Sequence, residues 1–244
     1  MKIIAHRGAS GEFPENSLLA FEQAILQKAD GIELDVRFHT HSQQFIVLHD
    51  SYLDNTTNSK GHFSQYSLAE LTELSLGQEQ RLITLSQALR TIAGRTLVNI
   101  EIKSNGSDTA IISAQLSALK SQINQAIEQH GFSAQQFVLS SFNHHIIKQS
   151  KCILPDIVTA ALIAHNPIEY ASFAKALKCS AVNPSIECLD QALVTNAHQL
   201  GLEVWVYTVD RQEDIDYCQQ IKVDAIFTNF PKKVRNYLNN CNDN

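Results

Sequence analysis

The feature that most constrains the fold is a regular alternation between short apolar runs and segments with helical periodicity. Eight apolar runs are each followed by a helical pattern, which predicts parallel strands joined by crossover helices. Eight such units in about 250 residues are typical of a (β/α)8 barrel, so we expect an α/β protein with a TIM-barrel fold. A doubly wound open sheet is the alternative, but no glycine-rich phosphate loop follows the first run. The predicted strands lie near residues 2–5, 31–36, 97–101, 137–140, 157–161, 181–183, 203–207 and 224–228.

One segment departs from this alternation. Residues 51–80 are rich in Asn, Thr, Ser, Gly and Gln, and the extended run Gln44 to Leu48 precedes them. We interpret this part as a small insertion after the second strand, at about residues 38–82. The whole chain, residues 1–244, is then a single catalytic TIM-barrel domain. Among the helices that connect the strands, one is expected to follow Pro167, because proline is tolerated in the first helical turn.

Composition restricts the partners and the compartment. The 244 residues carry a net charge of −6 and no basic run, which argues against nucleic acid as a partner. The first residues hold only a brief apolar stretch, and no apolar run is long enough to span a bilayer, so no stable membrane insertion is expected. Five scattered cysteines without a Cys-x-x-Cys pair predict neither a disulfide framework nor a zinc site. These features favour a small-molecule substrate and a reduced, cytoplasmic protein, and they leave the oligomeric state open.

The second predicted strand carries two acidic residues on one face. In Gly31-Ile32-Glu33-Leu34-Asp35-Val36-Arg37, apolar and charged side chains alternate, and residues two apart on a strand share a face. Two neighbouring carboxylates on an otherwise apolar strand are costly unless a positive charge lies between them. A hard divalent cation is a natural partner for such oxygens. The alternative is an edge strand whose polar face meets water.

Charged and titratable residues collect where the predicted strands end, which is where TIM barrels carry their active sites. Each has an ordinary explanation by itself: Glu101 and Lys103 could form an ion pair across one strand, and a lone histidine is more often structural than catalytic. Together they form a coherent set of metal ligands, phosphate-binding cations and neutral-pH acids and bases. The set comprises His6, Arg7, Glu33, Asp35, Glu101, Lys103, Ser141, Trp205 and Thr208, with His49 and Asp50 after the extended run.

Several short motifs in this set resemble one known family. They are His6-Arg7-Gly8, Pro14-Glu15-Asn16-Ser17, Glu33-Leu34-Asp35, His49-Asp50, Asn99-Ile100-Glu101-Ile102-Lys103 and Ser141-Phe142. In this order, and with the segments 201–205 and 223–231, they resemble the glycerophosphodiester phosphodiesterase family over nearly the whole chain. The resemblance implies a TIM barrel with a small insertion after the second strand, in agreement with the segment at 38–82.

The resemblance also implies a division of roles. Glu33, Asp35 and Glu101 would hold one divalent metal ion, Mg²⁺ or Ca²⁺ and possibly Mn²⁺. His6 and His49 would be the acid–base pair. The implied reaction is the hydrolysis of a glycerophosphodiester to sn-glycerol 3-phosphate and an alcohol.

For the substrate, the resemblance implies that Arg7 and Lys103 grip the phosphate, that Glu15 takes part in binding, and that Trp205 flanks the glycerol end. The chain departs from the family pattern at Asn229, where the family usually has Asp. Two alternative functions keep the same fold. One is a phospholipase-type cleavage of lysolipid or phospholipid head groups, which would need an exposed apolar collar. The other is a barrel that binds a metabolite without catalysis.

Overall fold

A computed structural model describes residues 1–104 and 106–242 of the chain, with side chains described up to residue 240. Eight parallel strands form a closed barrel, because the first strand pairs both with the second and with the last. The predicted TIM-barrel fold is confirmed. The barrel strands are β1 (Lys2–Ala5), β2 (Gly31–His39), β6 (Leu97–Ile102), β7 (Phe137–Ser141), β8 (Val158–Ile163), β9 (Ala181–Pro184), β10 (Glu203–Val206) and β11 (Ala225–Thr228).

Helices follow the strands and cover the outside of the barrel. Apolar side chains that face outwards from the strands pack against them in two large clusters, one on each half of the barrel. Side chains that alternate with these fill the interior, among them Ile4, Val138, Trp205 and Phe227. The helices are α1 (Leu18–Leu26), α2 (Leu68–Glu73), α3 (Leu85–Ile92), α4 (Thr109–Gln129), α5 (His144–Ile153), α6 (Ser172–Ala176), α7 (Gln191–Gln199), α8 (Gln212–Gln220) and α9 (Pro231–Asn242).

The segment expected as an insertion forms a small layer beside β2. The second half of β2 extends beyond the barrel and pairs antiparallel with β3 (Gln44–Val47). All nine residues of β2 are therefore buried. A two-stranded ribbon of β4 (Ser75–Gly77) and β5 (Gln80–Arg81) completes the layer together with α2. Its own apolar cluster includes Leu53, Phe63 and Leu71.

The helix expected after Pro167 begins later than predicted. Pro167 lies in a turn whose carbonyl accepts a hydrogen bond from the N–H of Tyr170 at 3.0 Å. Tyr170 has a left-handed backbone with a φ of 48°, which interrupts any helix at that point. The helix α6 therefore starts only at Ser172 and is five residues long. Within the described residues, no helix is both long enough and apolar enough to cross a membrane.

Candidate active site

Three buried carboxylates meet inside the barrel near the carboxyl ends of β2 and β6. Asp35 is the register partner of Glu101, and Glu33 is the partner of Asn99, so the three side chains share the interior face. Their ligand oxygens lie within 4.8 Å of one another. The side chains of Glu33, Asp35 and Glu101 are almost wholly buried. We call these residues the acidic triad.

The three carboxylates of the triad differ in their proton affinity. Burial raises the pKa of Glu33 well above its ordinary value, and the neighbouring charges of Asp35 and Glu101 raise it further. Burial and Asp35 raise the pKa of Glu101 to about 7. For Asp35, burial acts in the same direction, but the cations Lys103 and Arg7 outweigh it and hold the pKa at about 2. Two of the three carboxylates thus carry an electrostatic penalty that a bound cation would relieve.

Two cations border the triad. The ammonium Nζ of Lys103 lies 2.9 Å from Oδ1 of Asp35 and also donates to Glu101. Nε of Arg7 lies 3.2 Å from Oδ2 of Asp35, while its Nη1 donates to Glu15 at 2.9 Å. The structure thus brings Arg7, Lys103 and Glu15 to the triad, with Glu15 contacting Arg7 and not the carboxylates.

Backbone geometry after β1 supports this arrangement. Arg7 and Gly8 both adopt left-handed conformations, with φ values of 55° and 80°, and the turn lets the N–H of Arg7 donate to Oε2 of Glu33 at 2.9 Å. A Cβ on Gly8 would approach the carbonyl carbon of Ala20 to 2.7 Å. Glycine is therefore required here both for its backbone conformation and for its size.

Both predicted histidines approach the triad from flanking loops. Nε2 of His6, directly after β1, lies 4.0 Å from Oε2 of Glu33. His49 follows β3, and its Nδ1 lies 2.8 Å from Oδ1 of Asp50. Burial lowers the pKa of His6 to about 4 and also lowers the pKa of His49. Both shifts favour the uncharged form of the imidazole.

Trp205 does not belong to this group, and its predicted position at the rim is wrong. The indole N–H donates to Glu203 at 2.6 Å, and the ammonium of Lys2 lies 5.3 Å from the ring centroid. Glu203 and Lys2 begin their strands, so Trp205 fills the barrel interior at the amino-terminal end. Tyr207 lies two residues further along on the same face, and with His6, Glu33, Glu101 and Phe227 it lines a cavity of about 20 Å³ beside the triad.

Other polar residues of the site were not predicted from the sequence. The amide of Asn16, which is buried, donates to Oδ2 of Asp35 at 2.9 Å and accepts from the N–H of Asp35 at 3.2 Å. Arg37 donates from Nε and Nη2 to the backbone carbonyl of His49. Asn229 contacts Nδ1 of His6 at 2.8 Å. The motif around Asn16 was visible in the sequence, but its use as a clamp on Asp35 depends on tertiary contact.

The chemistry of the triad fits a divalent cation. Its donors are all carboxylate oxygens, which suit Mg²⁺, Ca²⁺ and Mn²⁺. Oε1 of Glu33 is buried and has no hydrogen-bond partner among the described residues. An unpartnered buried carboxylate oxygen that faces two further carboxylates is costly, and a cation would satisfy it.

Fold and site together define a TIM-barrel protein whose rim combines a buried carboxylate cluster with cations and imidazoles. The family model described as "Glycerophosphoryl diester phosphodiesterase family" matches residues 6–233. The chain belongs to this family, so the resemblance drawn from the motifs is confirmed, and with it the prediction that the chain is a phosphodiesterase enzyme.

Individual relatives agree with the assignment. A glycerophosphodiester phosphodiesterase of Caldanaerobacter subterraneus subsp. tengcongensis is 31% identical, with 97% of each chain covered. One from Bacillus altitudinis is 30% identical over 95% of this chain and 96% of the relative. Among solved structures, an Oleispira antarctica phosphodiesterase in complex with the product sn-glycerol-3-phosphate has a TM-score of 0.88 at 24% identity, covering 98% and 97% of the two chains. At that identity, the likeness concerns the fold.

Proposed function

We propose that this enzyme hydrolyses glycerophosphodiesters to sn-glycerol 3-phosphate and an alcohol, with one divalent cation held by Glu33, Asp35 and Glu101. The observation that carries the proposal is the buried acidic triad with its unpartnered Glu33 oxygen, in a chain that belongs to this phosphodiesterase family. When bound, the cation would stabilise the charge that develops on the phosphate oxygens.

The chain's own residues supply the remaining chemistry. Arg7 offers a planar guanidinium and Lys103 a compact ammonium at the edge of the triad, and both suit phosphate oxygens. Arg7 and Lys103 both contact Asp35, which holds their side chains in place. A bound phosphate would therefore meet cations that are already positioned. His6 and His49 would act as the acid–base pair: an uncharged ring would accept the proton of the attacking oxygen, and the other ring, protonated to the imidazolium before the step, would give its proton to the leaving alcohol.

Tyr207 replaces Trp205 in the proposed substrate contacts. Its ring lines the cavity beside the triad, and it meets Phe142 edge to face with the ring centroids 5.8 Å apart. Its hydroxyl donates to the carbonyl of Ile163 at 2.9 Å, which fixes the ring against β8. We assign the apolar contacts of the glycerol end to this aromatic pair.

We also propose a cytoplasmic location. It is supported by Cys152, Cys179, Cys188 and Cys218, which are the free cysteines among the described side chains. Free thiols persist where the cell keeps them reduced. Fractionation of the native host, with immunodetection of the chain, tests this part of the proposal.

The experiment that tests the function measures release of glycerol 3-phosphate from glycerophosphocholine. The protein is assayed as purified, after EDTA treatment, and after addition of Mg²⁺, Ca²⁺ or Mn²⁺. We expect EDTA to abolish release and at least one cation to restore it. The variant Glu33→Gln should bind that cation more weakly by calorimetry, whereas Glu128→Gln, a control at an exposed position near the end of α4, should not.

Three other outcomes would contradict the proposal. Full activity in EDTA would remove the metal from the mechanism. Turnover of lysolipid in vesicles, with none of glycerophosphocholine, would favour the phospholipase alternative. Tight binding of glycerophosphocholine without product under every cation would favour the metabolite-binding alternative.

A further inference from the structure

A chain of hydrogen bonds lies behind His6, on the side that faces away from the triad. Nδ1 of His6 lies 2.8 Å from Oδ1 of Asn229. Nδ2 of Asn229 donates to Oδ2 of Asp210 at 2.6 Å. Asp210 follows β10 and Asn229 follows β11, so two neighbouring strands bring the three side chains together.

The other oxygen of Asp210 is fixed by two donors. Oδ1 accepts from the hydroxyl of Thr228 at 2.7 Å and from the backbone N–H of Asn229 at 2.8 Å. A backbone N–H can only donate, so the orientation of this carboxylate does not depend on how any proton is placed. Oδ2 is therefore left to face the side chain of Asn229.

The carboxylate decides how the Asn229 amide is turned. A carboxylate only accepts hydrogen bonds, so the amide must direct its NH₂ towards Asp210 and its oxygen towards His6. Ser10 does not decide the matter, because its hydroxyl lies 2.6 Å from the carbonyl of His6 and 2.8 Å from the Asn229 amide. In the orientation set by Asp210, that hydroxyl can donate its single hydrogen to only one of these two acceptors, but an amide oxygen turned towards the carboxylate would be the costlier contact.

The amide in turn decides which nitrogen of His6 carries the hydrogen. Its oxygen only accepts, so in the neutral imidazole Nδ1 must carry the hydrogen and donate it. Nε2 then holds the lone pair, and Nε2 is the atom that faces Glu33 and the cavity. We propose that Asp210 is a positioning residue that acts through Asn229 to keep the Nε2 lone pair of His6 directed at the reacting groups. This proposal rests on the proposed function for its catalytic meaning, and on geometry alone for the tautomer.

The contacts predict the effect of Asp210→Asn in detail. In that variant, Thr228 and the backbone N–H of Asn229 still require an oxygen at the Oδ1 position, so the new NH₂ must face Asn229. The Asn229 amide then turns over and donates to Nδ1 of His6. The hydrogen of the ring moves to Nε2, and the lone pair is lost from the site.

The experiment combines NMR with kinetics on the intact protein in Mg²⁺. Long-range ¹H–¹⁵N correlation of labelled histidine reports which nitrogen of His6 is protonated, with His6→Gln used for assignment. We expect Nδ1–H in the wild type and Nε2–H in Asp210→Asn, with a fall in kcat of about 100-fold or more and KM within about two-fold. The double variant Asp210→Asn/Asn229→Asp should restore Nδ1–H and most of kcat, because its new carboxylate accepts directly from His6.

A matched control tests whether the effect of Asp210→Asn comes from the contacts of Asp210 or only from the loss of a negative charge. Asp224→Asn also removes a carboxylate that contacts a histidine, since Oδ2 of Asp224 accepts from Nε2 of His198 and from the N–H of Val204, both at 2.8 Å. It lies at the opposite end of the barrel and should leave kcat unchanged. Thermal unfolding of every variant identifies simple loss of the fold.

The outcomes separate this proposal from the proposed function. Nε2–H in the wild type would overturn the proposal even if no variant folded. Retention of Nδ1–H and of full kcat in Asp210→Asn would overturn it as well, with turnover of glycerophosphocholine left intact. The predicted tautomers in a protein without any turnover would instead support the hydrogen-bond chain and contradict the proposed function.

Discussion

His6 and His49 lie beside the acidic triad and have different hydrogen-bond partners at Nδ1. Nδ1 of His6 meets the neutral amide of Asn229, whereas Nδ1 of His49 meets the carboxylate of Asp50, both at 2.8 Å. In each ring, Nδ1 has an acceptor and Nε2 is left for the reaction. A carboxylate stabilises an imidazolium more than an amide does, so His49 is the ring better suited to hold a proton.

Replacing either histidine with glutamine should reduce kcat for glycerophosphocholine by about 10² to 10⁴-fold, the usual contribution of a general acid or base. KM should change little, because Arg7 and Lys103, the proposed phosphate contacts, keep their positions beside Asp35. Steady-state kinetics in the cation that supports turnover provide the measurement. His130→Gln, which alters the C-cap of α4, is the control and should retain activity. Unchanged kcat in His6→Gln or His49→Gln would remove that ring from the mechanism.

Two aromatic residues on one strand should respond differently to substitution. Tyr207→Ala removes a ring from the wall of the cavity and should lower kcat/KM by about ten-fold or more, in line with one lost hydrophobic anchor. Trp205→Phe removes the hydrogen bond to Glu203 and part of the barrel core, so it should lower the free energy of unfolding by about 1–2 kcal/mol. Kinetics and thermal unfolding of both variants provide the test. A lowered kcat/KM in Trp205→Phe, with unchanged kinetics in Tyr207→Ala, would instead place Trp205 in the substrate site.

At the level of secondary-structure elements, β2 pairs both with a barrel strand and with a strand of the inserted layer. Its first half pairs with β6 inside the barrel, and its second half pairs with β3 outside it. The second half carries Arg37, which is buried, lies 6.0 Å from the ring centroid of Phe63, and donates two hydrogen bonds to the carbonyl of His49. The inserted layer thereby brings His49 to a site whose other members come from the barrel.

Arg37→Lys should lower kcat with only a modest loss of stability. Lysine keeps the positive charge and most of the packing, but it lacks the planar fork that donates twice to one carbonyl. His49 would lose its fixed position, and we expect a fall in kcat of about ten-fold or more, because a small misplacement of a catalytic group costs rate. Arg81→Lys, at an exposed ion pair with Glu73, is the matched control. Equal kinetics for the two variants would contradict this role of Arg37.

Sequence patterns predicted the barrel because buried parallel strands are short apolar runs, and these can be counted. They also predicted that Glu33 and Asp35 share a face, because residues two apart on a strand do so, and they placed Glu101 at the end of another strand on the same rim. The same period could have favoured Tyr207 over Trp205: both lie on one face, and the later residue is nearer the carboxyl end. The late start of α6 was not predictable, because the left-handed conformation of Tyr170 has no glycine to signal it.

The contacts of Asn16, Asp210 and Asn229 could not be predicted for a different reason. Their partners are distant in sequence, and His6 and Asn229 are 223 positions apart. Closure of the barrel brings them together, since β1 pairs with β11. The sequence around a polar loop residue does not indicate which buried group it will bond to, because that group comes near only when the barrel closes.

At the level of the whole molecule, the barrel interior concentrates negative charge in a chain that is already acidic, with a net charge of −6. Lys103 and Arg7 balance Asp35, whose pKa stays at about 2 despite its burial. They do not balance Glu33 and Glu101, whose pKa values are raised by burial and by neighbouring carboxylates. Without a cation, folding therefore works against the ionisation of two glutamates.

This imbalance predicts that the metal-free protein loses stability as pH rises. Glu101 has an ordinary pKa of 4.5 and a folded-state pKa of about 7, so the folded state binds its proton more tightly than the unfolded state. The resulting penalty begins above pH 4.5 and is complete above pH 7. There it amounts to about 3 kcal/mol, because each ten-fold difference in proton affinity between the two states corresponds to about 1.4 kcal/mol. His6 acts in the opposite sense, because its lowered pKa of about 4 costs stability as pH falls below 6.5.

Comparison with Glu101→Gln isolates the contribution of Glu101, because His6 titrates in both proteins. In EDTA, we expect the variant to exceed the wild type in free energy of unfolding at pH 8, and the difference to shrink towards pH 5. Saturating Mg²⁺ or Ca²⁺ should reverse the order at pH 8, since the cation binds the ionised triad and the variant has lost one ligand. Denaturant unfolding at the two pH values, with and without the cation, provides the measurement. A wild type that is the more stable protein at pH 8 in EDTA would show that Lys103 and Arg7 already neutralise the triad without a metal.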